Sequence, residues 1–165
     1  MFINYLWLPI LFVTHDFEEI IIVPIWVKKH SILLSRQKHP LFGGLSNSSI
    51  LSIGILEELL ILIFISIYSM FHPNNSIYFG IMLTYLIHLF LHIIFCIQYH
   101  CYVPGIVTSL IQIPICINIL KINLSSITLP VIHTILVSSI CLLLFFINII
   151  FIHKLMKWIS NKSLL

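Results

Sequence analysis

The sequence predicts an all-α protein, a polytopic bundle of about five membrane-spanning helices. Three observations lead there. Hydrophobic residues make up 60% of the 165 residues, charged residues only 8%, and the mean hydropathy is +1.14, so a water-soluble domain of this size would have too little polar surface to cover itself. Several stretches reach the roughly 20 apolar residues that a bilayer crossing needs, with short polar breaks between them. The lysines and the arginine, Lys121 apart, gather in the first of those breaks and in the tail after the last stretch. One transmembrane domain over residues 1–165 is expected.

The first span is placed over residues 3–27 and stops at Lys28, Lys29 and His30, which open a polar loop through Arg36, Lys38, Pro40, Gly43 and Gly44. It lacks the basic leader and the plain apolar core of a signal peptide and is expected to stay as a helix. The second span covers 48–71, His72-Pro73-Asn74-Asn75 is a turn signal, and the third covers 77–99. Tyr102-Val103-Pro104-Gly105 breaks the chain again; proline suits the first turn of a helix, so the fourth span is placed over 103–120, ending near Lys121 and Asn123. The fifth covers 129–152. Cytoplasmic loops carry the excess of Lys and Arg. With five spans, Lys28, Lys29, Arg36 and Lys38 share a side with Lys154, Lys157 and Lys162, and only Lys121 falls opposite. The N-terminus is therefore expected outside and the C-terminus inside. Trp7, Trp26 and Trp158 sit near span ends, as an aromatic belt requires. Cys96, Cys101, Cys116 and Cys141 form no C-x-x-C pair and read as packing residues.

All five acidic residues, Asp16, Glu18, Glu19, Glu57 and Glu58, lie inside expected spans and none in a loop. An ionisable group at mid-bilayer costs about 2.5–3.5 kcal/mol on insertion scales, so such groups face the bundle interior and mark function. His15, Glu18 and Glu19 stand at i, i+3 and i+4, on one helix face. His88 and His92 have the H-x-x-x-H spacing with which one helix holds a metal ion through two imidazoles. Counted along antiparallel helices at about 1.5 Å per residue, Glu18 and Glu19, the Glu57/Glu58 pair, and His88 and His92 fall in one layer. Thr108, Ser109 and Asn148 can reach that layer as hydrogen-bonding groups, whereas His133 lies off it. His30, His39, His72, His100 and His153 read as solvated groups at interfaces or in loops. Pro24 is expected to open the first helix by removing the bond to the Ile20 carbonyl.

Charge limits what can occupy such a layer. Four ionised glutamates in an apolar interior need protons, imidazolium or metal ions as neutralisers, and two divalent cations would balance Glu18, Glu19, Glu57 and Glu58. The leading expectation is a metal-dependent membrane enzyme in which His15, Glu18, Glu19, His88 and His92 ligate and Glu57 or Glu58 acts as general base. The cofactor would be one divalent ion or a pair, with zinc, iron and manganese all compatible, and the reaction a metal-assisted hydrolysis or an oxidation. The substrate would be a membrane lipid or a hydrophobic small molecule, not a nucleic acid; no particular protein partner is indicated. The alternative is a transporter or relay that moves protons or cations through the same groups.

His15-Asp16-Phe17-Glu18-Glu19, Pro24-x-Trp26, and Tyr102-Val103-Pro104-Gly105 with Thr108 together resemble the HXXEE family of small membrane proteins of uncharacterised function. The resemblance covers nearly the whole chain. It implies an enzyme of unknown substrate, built on histidines, glutamates and an arginine; Arg36 is the one arginine present. The expected location is the cytoplasmic membrane of a bacterium.

Overall fold

The computed structural model describes residues 4–37, 41–44, 47–73 and 75–162. Ile3, Lys38, His39, Pro40 and Asn74, invoked above for the first span, the polar loop and the turn, lie outside them. The described residues form α1 (Trp7–Lys29), α2 (Ser31–Ser35), a 3-10 turn (Leu41–Gly44), α3 (Ser48–Phe71), α4 (Ser76–Tyr99), α5 (Ile106–Ser126) and α6 (Val131–Asn161), with no strand among them. Four of these helices, α3 to α6, are long and apolar enough to cross a membrane. The first of the five expected spans, α1, has 23 residues, but Asp16, Glu18 and Glu19 interrupt its apolar run. It runs without a break through Pro24.

Local chemistry sets most of the ends. The side chains of Asn47 and Asn75 accept from the backbone N–H of Ser49 and Tyr78 at 2.9 Å and so start α3 and α4. Several expected boundaries move, and α1 covers Trp7–Lys29 where 3–27 was expected while α6 begins at Val131, two residues after the expected start. Pro104 is not in the first turn of α5, because Gly105 at φ +87° forms the N-cap and the helix starts one residue later, at Ile106. That helix runs on to Ser126, with Lys121 exposed and Asn123 buried. The fall in hydropathy at His153 and Lys154 does not end α6, since lysine and methionine are good helix formers and the helix continues to Asn161. The segment expected as a plain polar loop after α1 contains α2 and the 3-10 turn.

The five long helices close into a ring in which α1 packs on α3 and α5, α5 on α4, α4 on α6, and α6 on α3, while α3 also reaches α4. Two apolar clusters fill it. Leu8 and Phe12 of α1, Met82 and Leu89 of α4, and Cys116 of α5 belong to one; Trp26, Leu51, Val103, Ile152 and Met156 belong to the other. The second cluster ties the end of α1, the start of α3 and the end of α6 together, which gathers Lys28, Lys29, Arg36, Lys154 and Lys157 at one end of the molecule. Outward faces are apolar, with Phe64, Phe71 and Val131 each more than 70% exposed.

Two glycines let helices touch. A Cβ on Gly54 of α3 would stand 2.7 Å from Ile152 Cγ2, and one on Gly80 of α4 would stand 3.0 Å from both Ser138 Cα and Cys141 Sγ. At Gly80 the obstacle includes backbone, which cannot rotate away. Gly80→Leu is therefore expected to cost about 1–3 kcal/mol by overpacking, read as a lower midpoint of thermal unfolding in neutral detergent. An unchanged midpoint would mean that α4 and α6 do not approach so closely.

Candidate metal site

Between the two apolar clusters, α1 and α4 each present a pair of side chains one helical turn apart: His15 and Glu19, and His88 and His92. One ring nitrogen from each histidine and one oxygen of Glu19 all lie within 4.8 Å of one another. His15 Nε2 is 3.2 Å from His92 Nε2, and His92 Nε2 is 3.2 Å from His88 Nε2. Glu19 Oε1 lies 3.3 Å from His92 Nε2 and 3.9 Å from His15 Nε2. His15, Glu19 and His92 are buried and His88 is half-buried.

The outer atoms of these side chains determine where the ring protons sit. His92 Nδ1 is 2.8 Å from the Pro104 carbonyl, which only accepts, so Nδ1 donates and a neutral ring has a bare Nε2. His15 Nδ1 is 2.8 Å from Thr108 Oγ1. That hydroxyl has one proton and two other neighbours, Glu18 Oε2 at 2.7 Å and the Gly105 carbonyl at 3.2 Å, both acceptors. The hydroxyl proton goes to one of them, so His15 Nδ1 must donate and its Nε2 is bare as well. Two lone pairs thus face each other beside Glu19 Oε1, a buried oxygen without a hydrogen-bond donor among the described residues. Such an arrangement is repulsive unless a proton or a metal ion lies among the three atoms.

The spacing suits a metal. Metal–nitrogen bonds of about 2.0–2.1 Å in a tetrahedral site imply ligand-to-ligand edges of about 3.3 Å, and three of the separations here are 3.2, 3.2 and 3.3 Å. Hydrogen bonds from the far ring nitrogen to a carbonyl or to a carboxylate-linked hydroxyl are what orient metal-binding histidines. His15, Glu19, His88 and His92 could therefore hold a metal ion.

The structure does not bring every expected residue into this group. Glu18 faces the start of α5, where its carboxylate accepts from Thr108 N at 2.9 Å, Thr108 Oγ1 and the Tyr102 hydroxyl. Burial and this hydrogen bond push the Tyr102 phenol above its ordinary range. Glu57 accepts from Asn148 Nδ2 at 3.2 Å, linking α3 to α6. Glu58 lines a cavity together with Asp16, Glu19, His88 and His92. Of the other groups expected to assist, Thr108 does, and Ser109 Oγ is buried without a partner among the described residues. Arg36 is exposed at the end of α2. His133 is off the layer, beside Ser76 at 3.4 Å. His153, expected to be solvated, is half-buried on the cavity wall, and His30 stacks on Trp26 with ring centroids 4.5 Å apart.

Residues that the sequence left unassigned complete the surroundings. Tyr85 donates to Gln112 Oε1 at 2.6 Å and its ring stands 6.2 Å from that of His15. Gln112 Nε2 in turn donates to the Leu11 carbonyl and to Thr14 Oγ1. Asp16, given no role by spacing, is buried, with Oδ2 lacking a partner among the described residues. The cavity measures about 1180 Å³ and runs between α3, α4 and α6 from Ile65, Ile81 and Cys141, past the histidines and then Leu51, Leu91, Phe95 and Ile152, to Gln37, Gln98, Tyr99 and His153.

The family model for proteins of unknown function with an HXXEE motif matches residues 6–119, a stretch that contains both His15–Glu19 and the Tyr102–Thr108 loop. No curated protein matches, and no solved structure does. Over more than half of its length the chain fits that model, and it belongs to the HXXEE family.

Gly105 is the tightest point of the site. A Cβ there would meet His92 Cε1 at 2.6 Å and His15 Cε1 at 2.9 Å, and its φ of +87° already disfavours any L side chain. Gly105→Ala is expected to lose about 1–2 kcal/mol from backbone strain alone, with the clash in addition. Thermal unfolding in detergent, compared with Gly105→Ala paired with His92→Ala, reads this: partial recovery in the double variant is expected, and equal midpoints for the single variant and the parent would discount the contact.

Proposed function

We propose that this member of the HXXEE family is a membrane-embedded, metal-dependent enzyme that acts on a hydrophobic substrate. The observation that carries the reading is the meeting of two bare imidazole nitrogens and an undonated glutamate oxygen, with two of their separations, 3.2 and 3.3 Å, at tetrahedral edge distances and the third at 3.9 Å. The four apolar helices, with exposed apolar faces and basic groups gathered at one end, suit a bilayer with that end cytoplasmic. A divalent ion held by His15, Glu19, His88 and His92 would supply Lewis acidity and a bound water of lowered pKa. Thr108 and the Pro104 carbonyl keep His15 and His92 oriented. Glu58 faces the same cavity and is the group placed to accept a proton from the reacting centre; Glu57 is engaged by Asn148 and acts instead as a tie between α3 and α6. Substrate arrives sideways, because four cavity-lining residues, Ile61, Leu144, Ile147 and Phe151, are at once 41–60% exposed on the outer face.

A relay of protons or cations is the second reading. The buried Asp16 and Glu19 oxygens without donors favour it, since a relay uses groups free to take up a proton. Against it stand the two fixed histidine rings, which a binding site needs and a shuttle does not.

Elemental analysis of protein purified without chelator is expected to find about one divalent ion per chain, retained through gel filtration. Glu19→Gln and His88→Ala should each lower that content, Thr108→Val should weaken affinity about 10–100-fold, and Glu58→Gln should leave stoichiometry unchanged. Unaltered metal content in both ligand variants, or an ion lost on brief exposure to chelator by the parent, would favour the relay. Cysteine substitutions beside Arg36 should resist impermeant reagents in intact cells; ready labelling would reverse the proposed orientation.

A further inference from the structure

We infer that the cavity binds one apolar chain carrying an anionic head, with the head at the basic end of the molecule and the chain reaching the His/Glu cluster. The inference deepens the enzyme reading and rests on it only in taking the cluster as the reacting end.

The cavity has one polar end and a polar girdle partway along it. Gln37, Gln98, Tyr99 and His153 make the end, Asp16, Glu19, Glu58, His88 and His92 make the girdle, and mostly apolar walls run between them and on past the girdle to Ile65, Ile81 and Cys141. Tyr99 donates to Gln37 Oε1 at 2.8 Å, which fixes the segment after α2 to the end of α4. The charged residues at the girdle and around the polar end are of opposite sign. Every acidic residue belongs to positions 16–19 or 57–58, none of them exposed. Arg36 adjoins Gln37, Lys154 adjoins His153, and Lys157 adjoins the cavity-lining Met156, all three exposed. Lys28 and Lys29 close α1 at the same end. A cationic head would be repelled from this rim and a neutral one would make no use of it; a carboxylate or phosphate satisfies it.

Length and volume then fix the rest. Tyr99 is seven residues beyond His92 on α4, about 10 Å along the axis. An extended chain gains about 1.2 Å per bond, so the cluster lies about eight bonds below the head. The volume of about 1180 Å³ is somewhat above the roughly 300–1,000 Å³ typical of small-molecule pockets, enough for one long chain. The openings beside Leu144, Ile147 and Phe151 let that chain slide in from the bilayer with its head still at the interface.

The test uses the full chain in neutral detergent and a fatty acid whose diazirine sits about eight bonds from the carboxylate. After illumination, labelled peptides are mapped by mass spectrometry, in parallel for chelator-treated and metal-loaded protein. Label is expected on residues 88–95 of α4 and 144–152 of α6 in both preparations. Excess oleate or lysophosphatidate should displace it, the better competitor identifying carboxylate or phosphate as the natural head, and oleyl alcohol should compete at least about fivefold less well, the scale of one or two exposed charge pairs. Arg36→Gln combined with Lys154→Gln alters only exposed side chains and should erase that difference. Label spread over the outer faces around Phe64 and Val131, or equal displacement by oleyl alcohol, would overturn the inference. Because chelated protein is tested too, absence of a metal site leaves this result standing, and absence of cavity labelling leaves the metal measurement standing.

Discussion

Five carboxylates turned inward, without a lysine or arginine among them, are the constraint to which the rest of this structure answers. Every described lysine and arginine is exposed, and no acidic residue is. A buried charge must be paired, hydrogen-bonded or neutralised, and with basic side chains kept at the surface each carboxylate is met differently. Glu18 takes the N–H groups and hydroxyls at the start of α5, where an unsatisfied helix terminus favours negative charge. Glu57 takes the Asn148 amide. Glu19 is left facing histidines. The difference in treatment separates the structural carboxylates from those with chemistry still available.

The Tyr102–Thr108 loop makes that separation possible. Tyr102 donates to Glu18, the Pro104 carbonyl accepts from His92, Gly105 makes room for two imidazole rings, and Thr108 joins Glu18 to His15. Three residues of one loop and Thr108 in the first turn of α5 thus define the orientation of both histidines and the start of that helix. A substitution at any of them acts on the site through geometry, not by removing a ligand. This also ties α1 to α5 and α4 by polar contacts rather than by apolar area, which matters where lipid is as apolar as the core and burial of hydrocarbon between helices drives little.

Part of this was legible in the sequence. The i, i+4 spacings of His15 with Glu19 and of His88 with His92 survive intact, as do the second and third helices nearly residue for residue. The same spacing rule placed Glu18 with Glu19, and there the structure divides them: adjacent residues are about 100° apart on a helix, and each follows a different neighbour. Which neighbour is a non-local fact, since the partners of Glu18 lie about 90 positions away. The loop carbonyl of Pro104 was invisible for a related reason, as a backbone acceptor leaves no residue-type signature. Hydropathy likewise marks where a helix leaves an apolar environment, not where it ends, and so α6 runs past His153.

That extended α6 explains why a large cavity survives in so small a chain. It meets α4 where Gly80 admits Cys141, and α3 where Gly54 admits Ile152 and Met156. Between these two close contacts are about three turns whose residues from Leu144 to Phe151 border the cavity; the Asn148–Glu57 hydrogen bond is a polar tie across that interval. The two glycines admit α6 closely on either side of this stretch, and within it Phe145 stands edge-on to His88 with ring centroids 6.0 Å apart. Filling either glycine would lift α6 at that end and change the width of the cavity without touching a ligand. Removing the amide at Asn148 would leave Glu57 unpaired beside the lateral opening. The packing of a single helix therefore sets both the room beside the His/Glu cluster and the route to it.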